Sequence, residues 1–262
     1  MLLQRLASAA VGIPLIILTI LAGDEVLAGV VALAVFIAAV EIGAARGTAA
    51  TPWWILTSIL AAALPVVALG GPADLLGAAA GVIMLQCAIL TFSPDPKTGI
   101  ESWLWGLASA LYFGILAGHF VLLREVPEGD DWVIFAVLTV WVADTGAYAV
   151  GRAIGRRKLA PAISPGKTVE GALGSLVAGF AIVFLLDWAL ELDLALKHRI
   201  ALGLVLPVCI LFGDLAESAI KRAIGVKDSS VLVPGHGGVA DRLDSLLFAV
   251  PAVYWYLHWV TL

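Results

Sequence analysis

Charge is scarce in this chain: of 262 residues only 13% are Asp, Glu, Lys or Arg, while 61% are hydrophobic and the mean hydropathy is +1.04. A soluble domain carries about 25% charged and about 45–50% apolar residues, so a water-soluble globule is excluded and an integral membrane protein is expected. Cysteine is nearly absent too. Cys87 and Cys209 both fall inside apolar runs, which argues for two reduced core residues and against a disulfide framework or a cysteine metal site. Neither a GxSxG nucleophile elbow nor an HExxH zinc helix occurs. Gly166-Lys167-Thr168 ends like a phosphate-binding loop, but that pattern requires glycine at position 161, where Pro161 stands. His119 and His258 lie in apolar runs and His198 in a polar break, none at metal-ligand spacing, so they read as packing or interfacial residues.

What is present is a series of apolar runs approaching the about 20 residues that cross a bilayer. They cover roughly 9–21, 26–45, 53–69, 75–92, 103–123, 132–150, 169–190, 200–220 and 243–262, with breaks rich in Gly, Pro and Asp between the early ones. The first reads as a retained helix, since no clear small-residue cleavage site follows it and further runs do. The expected fold is therefore an all-α polytopic membrane protein of about nine transmembrane helices. Residues 1-125 form a scaffold of five helices and 126-262 carry the site on the remaining four, with a homodimer left open. If the N-terminus is cytoplasmic, twelve of the fifteen Lys and Arg residues fall on the inner side and only Arg124, Lys197 and Arg199 on the outer. The positive-inside bias thus predicts a cytoplasmic N-terminus and an outside C-terminus.

Ionisable residues are expensive in a membrane and mark a site or a pathway. They concentrate in one stretch, 214–244, which holds Asp214, Glu217, Asp228, Asp241 and Asp244 beside Lys221, Arg222, Lys227, His236 and Arg242. At about 100° per residue, Asp214, Glu217, Ser218 and Lys221 share one face of a helix end. Asp241 and Asp244, three apart, share a face as the last helix begins, and the Pro234–Gly238 turn between the two ends brings main-chain N–H groups toward an anion. Carboxylates for a hard cation beside basic groups for phosphates suit a polyphosphate carried as its magnesium complex. Two further places add to the cluster. Asp144 lies about two turns inside the sixth run, where it is expected to face the bundle interior and either complete a metal site or make an interhelical hydrogen bond. Lys167 and Glu170 flank the start of the next helix, capped by Ser164 or Thr168, where an anion is favoured.

The run Ser218-Ala-Ile-Lys221-Arg222, then Lys227-Asp228, then Pro234-Gly-His236-Gly237-Gly238-Val-Ala-Asp241-Arg242-Leu-Asp244 resembles the signature of the phosphatidate cytidylyltransferases, with WVADTGAYAVGR and ISPGKTVEG resembling the family upstream. The resemblance implies a magnesium-dependent reaction of CTP with phosphatidate that gives CDP-diacylglycerol and pyrophosphate. Carried onto these positions, Asp214, Lys221, Asp241 and Asp244 are catalytic, and Asp144, Asp214, Glu217 and Asp241 are metal ligands. Lys167, Glu170, Ser218, Arg222, Lys227, His236, Gly237, Gly238 and Arg242 bind substrate. The implied cofactor is one or two Mg2+ ions, with a monovalent cation left open. The partners are CTP, phosphatidate and the bilayer of a bacterial inner membrane, with no nucleic acid and the site facing the cytoplasm. Two alternatives stay open on the residues alone: a CTP-dependent enzyme of another membrane lipid, and a cation or phosphate transporter.

Overall fold

The structure is a computed structural model that describes residues 2–93, 95–232 and 237–260, and the side chains of these apart from 2–11 and 96. Helix ends follow local chemistry. Helices α1 (Leu2–Leu21) and α2 (Asp24–Ala45) meet at Gly23. α3 (Pro52–Val67) begins where the Thr51 hydroxyl accepts from Trp54 N, and Pro52 takes a first-turn position that needs no N–H. α4 (Pro72–Leu90) repeats the proline start. α5 (Pro96–Ser109) is capped by Asp95, whose carboxyl is held below its usual range by hydrogen bonds from the Thr98 hydroxyl and from the Lys97 and Thr98 amides. A π-helical stretch, Ala110–Ile115, continues α5 into α6 (Leu116–Arg124), so that Lys97–Arg124 forms one rod of 28 residues.

Beyond it lie α7 (Gly129–Ile154), the strands β1 (Lys158–Ala160) and β2 (Ser164–Thr168), α8 (Val169–Ala189), α9 (Leu196–Ile224), α10 (Ala240–Leu243) and α11 (Leu246–Val260). Among the described residues seven helices are long and apolar enough to cross a membrane. They are α2, α3 with its extension to Gly70, α4, the 97–124 rod, α7, α8 and α9. The chain is an all-α polytopic membrane protein. At the two ends, α1 has 20 residues, and the last expected run is divided between the short helix Ala240–Leu243 and the 15 residues of α11. The β-hairpin departs from the all-helical expectation. Pro161 and Pro165 deny the segment helical hydrogen bonds, and it pairs antiparallel instead, with Lys158 opposite Thr168 and Ala160 opposite Ser164.

The chain divides into two compact units, Met1–Val126 with Asp228–Asp241, and Pro127–Lys227 with Arg242–Leu262. In the first, small side chains let helices approach: Val35, Ala38, Ala39, Ala61, Ala117 and Val121 are wholly buried. Trp54 lies against Gly43, where any Cβ would meet its ring, and its Nε1 donates to Ala39 O at 2.8 Å. In the second, α7 and α8 cross at glycines. A Cβ on Gly146 would strike Ala178 and stand 2.8 Å from Gly174 O, and one on Gly174 would stand 2.6 Å from Val150 Cβ. The α8–α9 turn is closed by Asp187, which accepts from Leu194 N at 2.9 Å and pairs with Arg199 at 3.3 Å. The Gly174→Val variant is expected to lose about 1–3 kcal/mol of stability through overpacking, read as a lower Tm in detergent. Gly77→Val, at a position with nothing within 4 Å among the described residues, serves as the control and should leave Tm nearly unchanged.

Candidate active site

Three elements of the second unit bring charge together. Lys167 is the penultimate residue of β2, and the Thr168 hydroxyl at the end of the strand caps α8 by accepting from Gly171 N at 3.1 Å, so the lysine is fixed two residues ahead of the helix. Its Nζ meets Asp214 Oδ2 of α9 at 2.6 Å, and the Ser218 hydroxyl points at Asp214 Oδ1 one turn along at 3.4 Å. Asp144 on α7 is exposed, yet its carboxylate lies within electrostatic reach of Asp244, Asp214, Lys167 and Arg242. Asp244 in turn interacts with Asp214, Arg242 and Lys221. It reaches this place because a Cβ at Gly213 would come within 2.8 Å of Asp244 O; only glycine lets the backbone lie against α9 there. One turn beyond Ser218, Lys221 Nζ pairs with the buried Glu217 at 2.6 Å.

Among the described residues no three His, Cys, Asp or Glu side chains stand close enough to form a ready-made metal cage. The donor chemistry nonetheless suits a hard cation. Asp144, Asp214 and Asp244 are oxygen donors that repel one another, and an ammonium already stands against one of them.

The described residues of Asp228–Asp241 belong to the first unit. Asp241 Oδ2 accepts from Ser229 N at 3.0 Å, Ser229 Oγ at 2.9 Å and Gly238 N at 2.8 Å. Asp241 and Asp244 therefore do not share one helix face as expected. The chain leaves helix after Leu243, with Asp241 tied back to its own loop and Asp244 turned toward Asp214. The second carboxylate of this loop is Glu41 of α2, which the sequence reading missed. It is buried, and accepts from Ser230 Oγ at 2.6 Å, Ser229 Oγ at 3.1 Å, Val239 N at 3.0 Å and Ala240 N at 2.9 Å. The signal was available: Glu41 is an acid within the apolar run 26–45.

Other expected substrate contacts serve the framework in this structure. Glu170 accepts from Arg156 N at 3.0 Å and Arg157 N at 3.2 Å, clamping the exit of α7. Arg222 donates to Ile163 O at 3.1 Å and Val226 O at 3.0 Å, where Gly225 ends α9. Lys227 and Arg242 are exposed, and His236 lies outside the described residues. Gly237 and Gly238 admit carboxylates. A Cβ on Gly237, at φ 83°, would stand 2.6 Å from Asp241 Oδ2, and one on Gly238 would strike Ser229 and Glu41. The first unit also contains a cavity of about 370 Å³ near Arg46 and Trp103. Its Thr48, Thr51 and Ser93 hydroxyls donate to backbone carbonyls and that of Thr98 to the Asp95 carboxyl, so they offer a phosphate little.

The model of the cytidylyltransferase family matches residues 3–260, nearly the whole chain. The chain belongs to the cytidylyltransferase family. Its similarity extends to proteins named phosphatidate cytidylyltransferase. One from Bacillus subtilis is 39% identical over 150 residues, 57% of this chain and 56% of the relative. One from Staphylococcus saprophyticus is 42% identical over 145 residues, 55% of each. A third, from Staphylococcus epidermidis, is 41% identical over 173 residues, 65% of this chain and 66% of the relative. The chain thus spans little more than half the length of the first two relatives. Within this cytidylyltransferase-family chain, Glu170→Ala should free the Arg156 and Arg157 amides. Their hydrogen exchange is expected to quicken by about tenfold, as for loss of a charged acceptor, with mass spectrometry of the hairpin peptides as the measurement.

Proposed function

We propose that the chain condenses CTP with phosphatidate to give CDP-diacylglycerol and pyrophosphate. The observation that carries this reading is the Lys167–Asp214 pair, set within electrostatic reach of Asp144 in a chain whose family model spans residues 3–260. A phosphate oxygen of phosphatidate attacks the α-phosphorus of CTP; the new P–O bond forms as the bond to the β-phosphate oxygen breaks, and pyrophosphate leaves. The attacking phosphate is already ionised near neutral pH, so no general base is needed. Positioning and charge neutralisation carry the rate.

The residues divide these tasks. Lys167, swung from Asp214, neutralises a substrate phosphate, and Arg242 and Lys221 compensate charge on the triphosphate and on departing pyrophosphate. Ser218 orients Asp214. Asp144, Asp214 and Asp244 would hold Mg2+, which would draw charge from the triphosphate when bound. The topology proposed with it has nine crossings with α1 and α11 included, a cytoplasmic N-terminus, and the charged cluster on the inner face of a bacterial inner membrane, where CTP is available.

The test is incorporation of labelled CTP into lipid by the purified chain with phosphatidate in mixed micelles. Product is expected with magnesium and none after chelation. Asp214→Asn and Lys167→Met should each lower kcat by about 10²-fold or more, the scale of losing one charge-stabilising group. Full turnover in Asp214→Asn, or nucleotide-independent phosphate flux in proteoliposomes without lipid product, would overturn the assignment.

A further inference from the structure

Glycine-rich turns followed by a helix start usually offer their amides to a bound anion. Here those donors are already taken. The Val239 and Ala240 amides and the Ser230 hydroxyl go to Glu41, the Ser229 and Gly238 amides go to Asp241, and the Ser229 hydroxyl lies within reach of both carboxylates. A carboxylate of α2 therefore stands where a ligand's phosphate would otherwise sit. Gly238 is what allows it, since any side chain there would overlap Glu41. Glu41 is 6% exposed, and such a charge persists away from water only with donors this numerous.

We infer that Glu41 is a positioning residue, which holds residues 229–230 and 239–240 from α2 and, through the continuous backbone of Ala240–Leu243, sets how Arg242 and Asp244 are presented to the reaction. The inference rests on the proposed reaction only for its kinetic consequence; the clamp itself is a property of the fold. Two points of chain mechanics support the role. Asp241 lies within the helical turn Ala240–Leu243, so its anchoring also orients Arg242 and Leu243 of the same turn and, through them, the start of Asp244. Both carboxylates also address Ser229, so that one hydroxyl couples the two anchors.

The test uses the full chain in lipid nanodiscs, with Glu41→Gln and Glu41→Asp, and with Ser230→Ala as a variant that leaves α2 untouched. Hydrogen exchange at Val239 and Ala240 is expected to rise about tenfold in Glu41→Gln, the scale of one charge-assisted hydrogen bond, with α2 and α3 unchanged. The KM for CTP should rise by a similar factor. Loss of folded molecules would lower apparent kcat and leave KM alone. Glu41→Asp, which keeps the charge, should recover part of the affinity, and Ser230→Ala should show the same changes in weaker form. Wild-type exchange at Val239 and Ala240 in both Glu41→Gln and Ser230→Ala would overturn the clamp. Faster exchange with an unchanged KM would overturn the positioning role. If the wild-type chain makes no CDP-lipid, the proposed reaction fails while the exchange arm still decides the clamp.

Discussion

Taking a carboxylate out of water costs several kcal/mol unless donors or cations surround it, and the polar architecture of this chain answers that requirement twice. Glu41 and Asp241 are satisfied by neutral donors, the amides and hydroxyls of one short segment. Asp214 is satisfied by a cation, the ammonium of Lys167. The first solution is rigid, because every donor is part of the backbone or one bond from it. The second is exchangeable, because an ammonium on a four-carbon stem can move away when another cation or a phosphate arrives. A scaffold that needs both a fixed frame and a responsive site uses each where it suits.

Much of this was legible in the sequence for a simple reason: in an apolar chain, polar residues stand out one by one. Asp144, Lys167, Asp214 and Asp244 are recognisable as anomalies, and the structure brings them into mutual electrostatic contact. Helix starts were legible as well, since Thr51, Asp95 and Thr168 cap by side-chain chemistry that spacing reveals. What escaped depends on distance along the chain. Glu41 meets residues almost two hundred positions later, and nothing in its neighbours announces them. The backbone contacts of Glu170 and Arg222 were not legible either, because acidic and basic groups near glycines can hold a backbone as well as a phosphate. The hairpin at 158–168 was masked by the strength of the helical pattern around it.

Close packing gives this frame its stiffness. The α7–α8 crossing at Gly146 and Gly174 brings two backbones together without intervening side chains, and Asp144 and Lys167 are carried on those same two helices or directly before them. The crossing leaves little slack for the two helices to slide.

The π-helical stretch within the 97–124 rod carries a different consequence. A wider turn puts the faces of α5 and α6 out of phase by about one residue, or roughly 100°. That offset directs Ala117 and Val121 into the interior, where both are wholly buried, and sets Gly114 against the Ala61 carbonyl. The rod is thus specified in phase as well as in length. A loop can gain or lose a residue at small expense. The same change between 110 and 115 rotates everything after it, so the number of residues in that short interval is as constrained as the identity of any one of them.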